Sequence, residues 1–133
     1  MSQQDLESFG AYCKACCLFD LAVEDMRDLE SIPACWRLIG QQLASADSIC
    51  ANMEEGYGRR SSRDFVLFLQ YSRGSARETR GRYQRLGHWL PDDIVRNRVL
   101  LCDEIISILT STIQTLSRQI DGKVREDETS YTP

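Results

Sequence analysis

The last helical stretch of the chain, about residues 92–120, constrains the fold most. Within it Val95, Val99, Cys102, Ile106, Leu109, Ile113, Leu116 and Ile120 recur at spacings of 4-3-4-3-4-3-4. That is the heptad rhythm of a helix packed along its length against other helices. A second apolar row, Ile94, Leu101, Ile105, Ile108 and Thr112, runs beside the first. Together they form a stripe wider than one bundle core needs. One face is therefore expected to line the protomer interior. The other, carrying Ile94, Leu101, Ile105 and Ile108, is expected to meet a neighbouring subunit. A helix seated centrally in its own bundle is the plainer alternative.

Three more helices precede it. The first spans about 5–28 and carries Leu6, Phe9, Cys13, Cys16, Cys17 and Leu21 on its expected apolar side. Ser31-Ile32-Pro33 ends it, and Pro33 suits the first turn of the next helix, about 34–55. Gly56-Tyr57-Gly58 closes that helix, with a left-handed glycine as the expected cap. Ser61 can cap a third helix over about 61–86, with Asp64 at its positive end. Gly87 stops it, and Pro91-Asp92-Asp93 opens the fourth. Short connections between long helices predict an all-α fold, an antiparallel up-down-up-down four-helix bundle over residues 1–120. Residues 121–133 turn polar and are expected to form a flexible tail.

At 133 residues the chain makes one domain with a core of its own. Its polar start and the lack of an apolar run of about 20 residues point to a cytoplasmic protein with no membrane contact. Six cysteines are expected to be reduced in such a compartment. Cys13-x-x-Cys16 has zinc spacing, yet no second pair follows and His88 is the only histidine. Cys13, Cys16 and Cys17 share one helical face and are expected to pack as small hydrophobes. No metal, cofactor or small-molecule substrate is expected.

The net charge of −4 conceals segregation. Residues 1–58 hold 3 basic and 10 acidic residues, whereas residues 59–98 hold 10 arginines and 4 acidic residues. Arg73, Arg77 and Arg80 form one helical stripe, and Arg59, Arg60 and Arg63 cluster at the corner before the third helix. These six are candidate contacts for an anion or an acidic partner. They suit a solvated face, the acidic first helix of a neighbour (Glu24, Asp25, Asp28, Glu30), or a phosphate track, although no interleaved exposed aromatics support the last.

The stretch Ser48-Ile49-Cys50-Ala51-Asn52-Met53-Glu54-Glu55-Gly56-Tyr57-Gly58-Arg59-Arg60-Ser61 is distinctive. Phe65, Phe68-Leu69 and Gly74-Ser75-Ala76-Arg77-Glu78 follow it. This pattern, with its surroundings from about residue 41 to 116, resembles the 23S rRNA intervening-sequence protein family, also called the four-helix bundle protein family. The resemblance implies an antiparallel left-handed four-helix bundle assembled into a ring-like homopentamer, of largely undefined biochemical role. A related branch serves diversity-generating retroelements as accessory proteins that engage reverse transcriptase and nucleic acid. Two departures stand out. Gln41-Gln42-Leu43-Ala44-Ser45-Ala46 lacks the arginine pair common in the family, and Cys50 replaces its proline.

The motif residues Asn52, Glu55, Gly56, Gly58, Arg59, Ser61, Gly74, Ser75 and Glu78 read as structural. Asn52 and Glu55 share a face and are expected to tie the corner, with Glu55 accepting from Arg59 or free amides. Glu78 is expected to pair with Arg82 one turn on. A catalytic pairing of Glu55 with Glu78 lacks a nucleophile or histidine base beside it. Gly74 and Ser75, mid-helix, are expected to mark close helix contact, since an internal glycine costs about 1 kcal/mol. The chain thus reads as a non-enzymatic, homo-oligomeric scaffold or adaptor. RNA or DNA binding, or a reverse-transcriptase partner, through the arginine-rich third helix is the alternative.

Overall fold

A computed structural model describes residues 3–130. Among these residues the chain is all-helical, with no strand. Helix α1 covers Gln3–Ser8, α2 Gly10–Arg27, α3 Trp36–Tyr57, α4 Ser62–Arg85 and α5 Asp92–Ser130. Single 3-10 turns at Pro33–Cys35 and Leu86–His88 lead into α3 and out of α4. The four long helices close a ring: α2 packs on α3 and α5, and α4 packs on α3 and α5.

The first helix differs from its sequence pattern. Phe9 leaves helical geometry, with ψ at 118°, and splits α1 from α2. Gly10, a poor helix residue, restarts the helix in a new phase. Leu6 remains buried, but the buried residues of α2 become Ala11, Ala15, Leu18, Ala22, Asp25 and Met26. Cys13 and Cys17 are consequently exposed and Cys16 is half-buried, contrary to the core role expected of them. The Cys13 thiol instead donates to the Glu7 carbonyl at 3.0 Å, beside the break.

The helix ends follow simple chemistry. Ser61 Oγ accepts from the Asp64 amide at 3.1 Å and starts α4. Pro91 precedes α5, and its carbonyl accepts from the Val95 amide. The left-handed glycine cap is corrected: no glycine has a positive φ, and Gly58 ends α3 at φ −82°. Gly56 matters for space instead. A Cβ there would lie 3.0 Å from Phe68 Cβ and 3.1 Å from Phe65 Cδ2. Gly74, expected at a close helix contact, faces nothing within 4 Å.

The tail is also corrected. Instead of a flexible segment from residue 121, α5 continues to Ser130. Residues 123–128 are mainly Lys, Arg and Glu, which favour helix, and Gly122 is the weakest helix former beside them. Residues 131–133 of the expected tail lie outside the described residues. Over Asp92–Asp127 this helix is long and apolar enough, by length and composition, to cross a membrane. It nevertheless packs against both α2 and α4.

Candidate interaction surface

Three helices meet in a buried polar knot that the sequence reading did not anticipate. Arg98 on α5 donates from Nε to Asp25 Oδ2 at 2.8 Å and from Nη2 to Oδ1 at 3.0 Å. Tyr83 on α4 donates to the same Oδ2 at 2.8 Å. The Arg98 and Asp25 side chains are only 9% and 6% exposed. Burial, then the bond to Asp25, pushes the Tyr83 phenol well above its ordinary value, and the bond to Asp25 raises Arg98. Buried charges persist only when paired in this way. Asp25 therefore does not belong to the acidic face expected to meet a neighbour. Arg98 sits four residues before Cys102, on the apolar side of α5, and a charge in that register was the available signal.

A second polar seam joins α3 to α4. Gln42 Nε2 donates to the Thr79 carbonyl at 2.9 Å, and Ser72 Oγ donates to the Ile49 carbonyl at 2.8 Å. Ser45 and Thr79 hydroxyls lie 2.8 Å apart, and Ser75 donates to Ser48 at 2.9 Å. Arg82 Nη1 donates to Gln42 Oε1 and Ser45 Oγ, both at 3.0 Å. Burial, then the charge of Arg85, lowers the Arg82 pKa. Its expected ion pair with Glu78 does not form among the described residues, because Arg82 turns to α3 instead. Glu78 stands exposed at the rim of a shallow cleft of about 370 Å³ with Ser48, Ser75 and Arg82.

The corner motif divides. Glu55 accepts from Arg59 Nη2 at 2.6 Å, and the Arg59 guanidinium lies 4.9 Å from the Phe68 ring centre. Asn52 does not join that tie. Its amide donates back to Ser48, to the carbonyl at 2.8 Å and the hydroxyl at 2.9 Å. The cleft that holds Glu78 is lined by neither Asn52 nor Glu55. Asn52, Glu55 and Glu78 are not gathered into one site.

The arginine stripe is largely spoken for. Arg80 Nε donates to Asp103 Oδ1 at 2.6 Å, and Arg73 donates to Thr110 Oγ1 at 3.4 Å, both on α5. Arg77 is exposed, as are Arg60 and Arg63. Stripe position predicted a common face, but the long side chains of Arg73 and Arg80 reach across to α5.

The subunit-contact candidates also separate. Ile105 is fully buried in the protomer core, while Ile94, Leu101 and Ile108 are half-buried. Both α2 and α4 cover α5, so its wide stripe is partly used within the protomer. Leu100, which the sequence reading passed over, is 61% exposed. It lines a shallow groove with Lys14, Glu104 and Ile108, spanned by a Lys14–Glu104 pair at 2.8 Å. Among the described residues no cluster of three His, Cys, Asp or Glu side chains gathers to hold a metal. Cys50 lies within reach of Cys16, and burial pushes its thiol well up.

These features define a packed helical protein whose polar residues serve mainly to fasten helices. The chain belongs to the family described as 23S rRNA-intervening sequence protein, whose pattern matches residues 14–120. Its fold is similar to that of a protein of unknown function from the S23 ribosomal protein family of Bacteroides thetaiotaomicron VPI-5482, with a TM-score of 0.73 at 23% identity. That likeness covers 77% of this chain and 97% of the other. No curated protein matches the chain.

Proposed function

We propose that this chain is a non-catalytic helical-bundle protein that associates with copies of itself and acts as a scaffold or adaptor. The bundle reads as antiparallel, up-down-up-down and left-handed, assembled as a ring-like homopentamer in the cytoplasm. Leu100 carries the self-association reading: a leucine 61% exposed on α5, beside Ile108 in a groove. Burying such a side chain is worth about 1.5–3 kcal/mol, and each copy in a ring gains it. Half-buried Ile94, Leu101 and Ile108 add area to the same helix. The reading without catalysis is supported by the dispersal of Asn52, Glu55 and Glu78, two of which are committed to Ser48 and Arg59.

Light scattering across a dilution series tests the assembly. A mass well above 15.2 kDa at micromolar concentration is expected. A stable 15.2 kDa species throughout would end the reading. The alternative, RNA, DNA or reverse-transcriptase contact through α4, is weakened by the ties of Arg73 and Arg80 to α5. Retardation of an RNA or DNA probe that falls steeply with salt, and is lost in Arg77→Ala, would restore it.

A further inference from the structure

At the α3–α4 corner the end of α5 runs on past the start of α4. Leu116 and Ile120 lie level with residues 60–63, and the ten residues beyond Ile120 add about 15 Å of helix. Between this projection and the corner lies a groove of about 520 Å³, within the range of natural binding pockets. Leu116, Ile120 and Val124 form its aliphatic side. Arg60, Arg63 and Lys123 stand around it, each from a different element.

These three cations differ from their neighbours. Arg59 is neutralised by Glu55, and Arg80 by Asp103. No ion pair among the described residues engages Arg60, Arg63 or Lys123. With Asp127 on the same lining, three cations against one carboxylate leave a net of two positive charges. Cations around a strip of leucine, isoleucine and valine ask for a partner with apolar anchors on one face and carboxylates beside them. An acidic amphipathic helix has that form. A phosphate backbone answers the charge but leaves the aliphatic strip wet, and among the described residues no aromatic ring lines the groove for bases to stack on.

We infer that this groove is a docking site for an acidic amphipathic helix of a partner protein. The inference specifies the adaptor half of the proposed function and does not depend on self-association.

The test is fluorescence anisotropy with the full chain and a labelled synthetic helical peptide. The peptide carries leucines at i, i+3, i+4 and i+7, flanked by glutamates. Binding that weakens with salt is expected. Arg60→Glu with Arg63→Glu should weaken it at least about tenfold. Lys123→Glu and Ile120→Ser should each weaken it too, with helicity unchanged. A matched peptide with lysines in place of the glutamates should not bind. The inference is overturned by no binding at low salt, by equal binding of the two peptides, or by indifference to all four substitutions. It is equally overturned if an oligothymidine strand binds more tightly than the peptide. Sedimentation of the Arg60→Glu/Arg63→Glu protein separates the two claims. An unchanged mass is expected, and a fall to the monomer would assign the groove to contact between copies instead.

Discussion

Arg98 and Asp25 meet through two hydrogen bonds of 2.8 and 3.0 Å in the interior, joining the last helix to the second. Tyr83 completes the knot from α4. Removing one member of a buried pair strands the other charge and costs about 3–5 kcal/mol, whereas replacing both with apolar groups can be nearly neutral. Arg98→Met alone should therefore lower the denaturation midpoint sharply. The double change Arg98→Met/Asp25→Leu should recover much of the loss. A double variant as unstable as the two single losses added together would show that the pair is not coupled as described.

Gly56 and Gly74 should respond oppositely to alanine. At Gly56 the new methyl presses on Phe68 Cβ and Phe65 at 3.0–3.1 Å. The substitution should cost stability, on the order of 1–3 kcal/mol for overpacking. Gly74→Ala meets open space and should gain up to about 1 kcal/mol from helix propensity. Thermal melts of the two variants distinguish these outcomes directly.

Alkali should destabilise the fold. Burial pushes the Cys102 thiol from 9.0 up to about 12. A raised folded pKa means that the neutral thiol favours the folded state. That contribution is complete below the unfolded value of 9.0 and is lost as pH rises from there to about 12. Tyr83, raised from 10.0 by burial and then by Asp25, acts in the same direction. Cys102→Ala should flatten the decline in stability from pH 9 upward, read by urea denaturation at several pH values. An unchanged slope would count against a buried neutral thiol.

Thiol labelling should sort the cysteines by the phase of α2. Cys13 and Cys17 are exposed, whereas Cys35, Cys50 and Cys102 are buried. In the folded protomer the first two should react rapidly with a maleimide. The buried three should react only on unfolding. Equal protection of Cys13 and Cys35 would contradict the break at Phe9.

The order of helices was legible because its signals are local. Ser61 before Asp64, Pro91 before Asp92 and the heptad row of α5 each act through neighbours in sequence. The face of the first helix was not legible. Phe9 leaves the helix in a stretch with no proline, and the break rotates the core row from Cys13 to Ala11 and Ala15. Glu55–Arg59 followed from i,i+4 spacing. Arg80–Asp103 and Asp25–Arg98 did not, because their partners are 23 and 73 residues apart. Spacing places an arginine on a stripe; only tertiary packing decides whether a long side chain stays there.

Sedimentation equilibrium of the natural chain beside Leu100→Glu tests self-association most directly. The natural chain should sediment as a multiple of 15.2 kDa, at about 76 kDa for five copies. Leu100→Glu places a charge on an exposed position, so the protomer should keep its helicity while the mass falls towards 15.2 kDa. A natural chain of 15.2 kDa, or a variant that keeps the natural mass, would contradict the role assigned to Leu100.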